Sequence, residues 1–303
     1  MRIQQLQLLV ALAETGSLRA AAKQLHVTQP ALTKALRQLE DEFSTTLVTR
    51  TPKGARLTET GEILRARAAA VLREVDRAKQ EVAWQTRKEQ ATVVISVSPG
   101  AAMTLIPGAL KRLHDRWPDV LVSIIDAVYP LSHALVRSGK VELAIGPLPA
   151  EGVDNDLYTT PLGEARTILV TRNTSKYASS TTKEDLTQAS WILAGPKDGP
   201  GDPQRLTFQL GEGFSPRIVA QCESYLSVLA ILPSIDAIAL VPESIFHQYG
   251  TAVGLSQVTV NVSQLLPKVM IHTVWLADTT LTAPAAGLLD AIKQETAYKT
   301  GGV

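Results

Sequence analysis

Hydrophobic residues recur along the first forty positions at the spacing of short helices. Ile3, Leu6, Leu9, Val10 and Ala13 predict one stripe that stops near Gly16. Ser17 is placed to cap a second helix, LRAAAKQL, because its hydroxyl can accept a free backbone N–H. In that helix Leu18, Ala21, Ala22 and Leu25 share one side, and the alanines permit close helix approach. After a three-residue break, His26-Val27-Thr28, a third pattern puts Leu32, Ala35, Leu36 and Leu39 on one face. Thr28 can cap this helix, and Pro30 suits its first turn, where a missing N–H costs nothing. Two short helices around a tight turn predict a helix-turn-helix. Next, the extended pieces LVTR and ARLT flank a Pro-Lys-Gly turn within residues 45–58 and predict a β-hairpin.

From Thr58 to about Lys88 the pattern is one long helix without proline. Leu64, Ala68, Val71, Val75, Ala78 and Val82 are spaced 4, 3, 4, 3, 4. That heptad seam predicts a linker helix that pairs with a second copy. Beyond it, short apolar strands alternate with amphipathic helices. The strands are 93–98, 120–125, 141–146, 167–171, 191–194, 217–221, 237–242 and 269–276, and a last helix lies near 281–298. This alternation predicts α/β units with mostly parallel sheets, and about 210 residues suit two small lobes.

Charge changes the picture. Residues 1–58 hold eight Lys/Arg and four Asp/Glu, whereas residues 91–303 hold fifteen bases and nineteen acids. A basic head on an acidic body points the head toward a polyanion. The polar face of the third helix carries Gln29, Thr33, Lys34 and Arg37, and its acids wait until Glu40, Asp41 and Glu42. The hairpin adds Arg50, Lys53 and Arg56, all basic, so the head reads as a winged DNA-binding domain.

The chain of 303 residues, 45% hydrophobic, has ample material for real cores. Its single cysteine, Cys222, excludes an internal disulfide framework and fits a reducing compartment. The N-terminal segment lacks the basic start and unbroken apolar core of a signal peptide, and no run approaches the roughly 18 apolar residues of a membrane span. A cytoplasmic protein is expected. His26, His114, His133, His247 and His272 form no i, i+4 pair, so no metal site is expected. GPKDGPGD (195–202) lacks the Gly-Lys-Ser/Thr of a phosphate loop. With no Ser–His–acid set evident, neither an enzyme nor a cofactor is expected.

The stretch SLRAAAKQLHVTQPALTKALRQLEDEFSTTLVTRTPKGARLTETG resembles the DNA-binding domain of LysR-type transcriptional regulators. The Ala-Ala pair, Gln-Pro-Ala, the Leu-Glu of RQLE, Arg50 and the closing Leu-Thr-x-x-Gly stand where that family has them. IPGALKRLHDRWPDV, LVRSGKVELAIGP and ESYLSVLAILPSIDAIALVPES resemble its effector domain more loosely. Three departures stand out: Ser44 where the family has glycine, Leu47-Val48 for Leu-Phe, and Pro233, Ser234 and Asp236 in a usually glycine-rich stretch. The resemblance implies an α/β plus α fold: an N-terminal winged helix-turn-helix (1–58), a linker helix (59–89) and a two-lobed effector domain like a periplasmic binding protein (90–303). Lobe I would cover about 90–162 and 267–303 and lobe II about 163–266, with crossings near Pro161–Gly163 and Leu265–Lys268. It also implies a dimer of dimers.

The third helix suits the major groove, where Gln29 can bond adenine bidentately and Lys34 or Arg37 can reach guanine or phosphate. Thr28 and Thr33 can meet phosphate or a thymine methyl beside Pro30. Arg19 and the wing's Arg50, Lys53 and Arg56 are expected on the backbone. In open α/β sheets ligands bind beyond the carboxyl ends of strands. Those ends nominate Ser98, Pro99, Gly100 and Ala101, then Tyr129, Gly146 and Pro147, then Gly195, Pro196 and Lys197, and Pro242. Free N–H groups at Ser98–Ala101 suit an anion, and Tyr129 and Tyr225 suit an aromatic ligand. The expected function is sequence-specific transcription regulation on double-stranded DNA, controlled by a small-molecule effector. The alternatives are a DNA binder without effector, or a cytoplasmic solute-binding protein.

Overall fold

A computed structural model describes residues 1–51, 54–86, 90–149, 152–180, 182–194, 214–260, 266 and 268–300. The chain divides into two compact units, Met1–Ala91 and Thr92–Val303.

The first unit is built from α1 (Ile3–Thr15), α2 (Leu18–Gln24), α3 (Gln29–Phe43), a hairpin of β1 (Val48–Thr51) and β2 (Gly54–Leu57), and α4 (Glu59–Gln85). The two expected caps lie where the sequence put them: Ser17 accepts from the Ala20 N–H and Thr28 from Ala31. Thr58, where the long pattern begins, also caps its helix, accepting from the Gly61 N–H. Leu32, Leu36 and Leu39 of α3 are buried with Ala21 and Ala22 of α2. The α1 stripe differs from expectation. Ile3 and Ala13 are exposed, while Gln5, Leu8, Ala11 and Leu12 are buried with Leu6 and Leu9. α1 packs against α2, α3, α4 and β2, so its buried arc is wider than one stripe.

The second unit is a mixed sheet in the order β4-β3-β5-β11-β6-β9-β7-β8, with β10 also paired to β6. Its strands are β3 (Thr92–Val97), β4 (Leu121–Asp126), β5 (Leu143–Pro147), β6 (Leu157–Arg172), β7 (Ser190–Ala194), β8 (Arg217–Cys222), β9 (Ile238–Pro242), β10 (Leu255–Gln257) and β11 (Lys268–Leu276). The helices are α5 (Pro99–Thr104), α6 (Ile106–Arg116), α7 (Leu131–Ser138), α8 (Lys183–Gln188), α9 (Tyr225–Ile231) and α10 (Ala283–Thr300). Parallel pairing is confined to β4–β3–β5 and β8–β7–β9, so the expectation of mostly parallel sheets is corrected. In the middle, β11 runs antiparallel to β5 and β6, and β6 antiparallel to β9.

β6 explains the difference. The apolar run predicts a strand only from Thr167. β6 instead runs for 16 residues from Leu157. Its partner shifts register between Ile271, opposite Gly163, and His272, opposite Pro161. Leu162 is therefore an extra residue, a bulge, and a bulge is where a strand tolerates proline. The first expected crossing falls at this bulge. Of the second, Leu265 and Pro267 lie outside the described residues.

Candidate functional sites: a basic helix face and an apolar cleft

α3 presents Gln29, Lys34 and Arg37 to solvent and leaves Thr33 half-buried. Thr28 and Pro30 at its start, Arg19 on α2 and Arg56 on β2 are also exposed. The unit's ion pairs among the described residues are the N-terminal ammonium with Glu42, Arg65–Glu62, Arg77–Glu74 and Lys79–Asp76. Arg19, Lys34, Arg37 and Arg56 are thus free of carboxylates there. Arg50 lies on β1, and Lys53 lies outside the described residues.

Two acids beyond this face, Glu40 and Glu42, have other work, which sequence reasoning missed. Glu40 Oε1 accepts the N–H groups of Leu47 and Val48 at 2.8 and 3.2 Å and so ties α3 to the start of the wing. The Ala55 N–H donates to the Gly16 carbonyl at 2.9 Å, holding the hairpin on the α1–α2 turn. Thr58 Oγ1 accepts from Gly61 N–H at 3.0 Å and donates to the Thr46 carbonyl at 2.8 Å. A Cβ at Gly61 would meet the Leu47 carbonyl oxygen, so the closing glycine of Leu-Thr-x-x-Gly is a close approach of backbones. Arg56 is thus placed by backbone ties, with no salt bridge among the described residues.

In the second unit, strand ends converge on a cavity of about 490 Å³, a size suited to a small organic ligand. Of the expected residues, Ser98, Pro99, Gly100, Ala101, Tyr129, Pro147, Tyr225 and Pro242 line it together. Gly146 does not line it. Its place is behind Ser98, where a Cβ would lie 3.1 Å from the Ser98 Cβ, so its missing side chain makes room for the serine. Gly195, Pro196 and Lys197 lie outside the described residues. The cavity is walled mainly by apolar groups, including Val128 at the strand end beside Tyr129 and also Leu131, Ala165, Val269 and Ile271, which sequence reasoning did not nominate. β6 and β11 bring the last three in from distant stretches, and no local motif marks them.

Ser98 makes no capping bond on α5. Its N–H donates to the Ile145 carbonyl at 2.7 Å. The Tyr225 ring comes close to Gly100, where a Cβ would lie 3.4 Å from it. Burial pushes the Tyr225 phenol up to about 12, so it stays neutral and can donate. Tyr129 is 41% exposed and meets His133 edge-on, with ring centroids 5.1 Å apart. His133 is buried. Desolvation first, and Arg137 second, hold its imidazole below the usual range against the pull of Asp154 and Asp156. Arg137 itself grips Asp154 at 2.6 Å and Asp156 at 2.7 Å. The cleft lining also contains two carboxylates that were not nominated, Asp126 and Glu223. Cys222 is buried against Val228 and Ile192, and burial raises its thiol.

Comparison with known proteins bears on both units. Residues 3–62 match the family described as bacterial regulatory helix-turn-helix protein, lysR family. Residues 86–297 match the LysR substrate binding domain. The chain is 26% identical over 284 residues to the HTH-type transcriptional regulator TdcA of Escherichia coli (strain K12), covering 94% of this chain and 90% of that protein. In fold it is similar to full-length LysG from Corynebacterium glutamicum with bound effector Arg, with a TM-score of 0.70, 18% identity and coverage of 98% and 99%. It is also similar to full-length CbnR complexed with target DNA, with a TM-score of 0.61, 19% identity and coverage of 97% and 100%. Among the described residues no helix is long and apolar enough to cross a membrane.

Proposed function

The chain belongs to the LysR family of DNA-binding transcription regulators with an effector-binding domain, and from that premise we propose how its own residues divide the task. α3 enters the major groove, with Gln29 on a base edge and Lys34, Arg37, Arg19 and the wing cations on the operator. The observation that carries this is the carboxylate-free face of α3, beyond which Glu40 and Glu42 are engaged in backbone and terminal contacts. Two heads act on paired half-sites. Support comes from the α4 seam: Leu64 and Ala68 are covered by the head, whereas Val71 and Val82 stand 44% and 64% exposed in the single chain. A second copy would bury them.

The division into a head through residue 58, a linker helix through 89 and two effector lobes is our reading. It is supported by the compact units and by the bulge in β6. The effector is a small, largely apolar molecule held against Tyr129 and Tyr225, with an acceptor oxygen near Ser98–Ala101. It changes promoter output only by binding one arrangement of the lobes better than another. We assign the protein no catalytic step and place it in the cytoplasm, on the strength of its lone buried cysteine.

Recovery of genomic fragments by the purified protein, followed by footprinting, tests this. A discrete, partly palindromic site is expected. On that site Gln29→Ala should lose about 1–3 kcal/mol of discrimination at one base pair. Arg56→Ala should weaken all sequences alike and lower the salt slope by about 0.9. Equal losses on all sequences for both variants would remove Gln29 from base reading, and random fragments would favour a DNA binder without operator.

A further inference from the structure

The charge of the cleft lies at its mouth. Asp126 ends β4 and Glu223 directly follows β8, so the two carboxylates come from opposite ends of the sheet order and meet around one cavity. Each is exposed, and neither has an ion pair or hydrogen bond from its side chain among the described residues. A tyrosine accompanies each one: Tyr129 three residues after Asp126, and Tyr225 two residues after Glu223. Among the described lining residues there is no lysine or arginine.

Two unpaired like charges around an apolar space repel as the walls approach, and a cation between them reverses the sign of that interaction. Tyrosine rings add attraction for an ammonium group through their faces. Resting on the effector reading above, we propose that the ligand carries a protonated amine, held at the cleft mouth between Asp126 and Glu223, on an apolar or aromatic body. Such a ligand binds most tightly when both carboxylates converge on it. It therefore discriminates between closed and open arrangements of the lobes, as an effector must.

The test is calorimetric titration of the full-length protein at pH 7 with four probes of one shape: phenylalanine, 2-phenylethylamine, 3-phenylpropionate and 3-phenylpropanol. Each is also titrated against Asp126→Asn and Glu223→Gln, which lie at the exposed rim and change charge without volume. The amine-bearing probes are expected to bind at least tenfold more tightly than 3-phenylpropionate. Each variant should weaken them about tenfold or more, and leave the carboxylate and alcohol unchanged or tighter. Rising salt should weaken amine binding to the wild type more than to either variant. Tighter binding of 3-phenylpropionate, with amine affinities the same in wild type and both variants, overturns the amine and leaves an effector cleft standing. If none of the four binds, the amine and the cleft reading fall together.

Discussion

The head and the body recognise their partners in opposite ways. In the head, every residue proposed to touch DNA lies within forty positions, and the central ones lie within ten, on one helix whose caps and inner stripe are local. Its face is positive because it carries bases and no acid; of the acids that follow, Glu40 holds the wing amides and Glu42 the N-terminus. In the body, the cleft gathers residues from position 98 to position 271, and its unpaired charges are negative. A partner with a regular, repeated surface can be met by one regular element. A small ligand must be enclosed, and enclosure needs walls from distant parts of a chain.

The comparison is broken most strongly by filling a close approach in one unit only. Gly61→Val drives a side chain into the Leu47 carbonyl, and overpacking of this kind costs about 1–3 kcal/mol. Calorimetry should show the head melting earlier, with DNA affinity lost, while ligand binding by the body stays as in wild type. Loss of both would mean that the units do not fold independently. Thr58→Ala removes a cap and its tie to Thr46, at about 1 kcal/mol. It should lower the head's melting transition and DNA affinity together, without altering base preference in footprints.

Ser44 sharpens the comparison from the other side. It ends α3 with φ +50°, a left-handed conformation that glycine adopts more readily. Ser44→Gly should stabilise the head by about 1 kcal/mol or less in denaturant titration and leave the body unchanged. A loss of stability there would show that the serine side chain contributes more than its backbone costs.

In the body, His133 is held neutral by burial, so its folded value lies below that of the unfolded chain. Between those values the unfolded chain binds more protons, and stability falls as pH drops below about 6.5. His133→Asn should flatten the pH dependence of the body's melting below about pH 6.5. The head's dependence should not change. An unchanged slope in the body would assign its acid sensitivity to other groups.

Legibility followed the same divide. The caps at Ser17 and Thr28, the buried leucines of α3 and the hairpin could be read because each depends on neighbours within a few residues. α1 was misread at Ile3 and Ala13, because its buried arc is set by four partners rather than by its own period. Strand positions in the body were legible from apolar runs. The length of β6 was not, since residues 157–166 carry no continuous apolar run. α8 and β10 were missed because each is too short to carry a period. For the cleft, strand ends led to Ser98–Ala101, Tyr129, Pro147 and Pro242. They could not lead to Asp126 or Glu223 as a pair, since nothing local joins positions 97 residues apart.

By itself, then, the sequence determined the helix-turn-helix, its wing, the long helix α4, and which side of α3 stays polar and free of acid. These follow from hydrogen bonds and periodicities that operate over one or two turns. Only the tertiary structure decided the antiparallel seam of β6 and β11, the direction in which α1 buries, and the sign of the charge at the cleft. Those depend on which distant backbones come into register, a choice made by packing of the whole unit rather than by any segment of it.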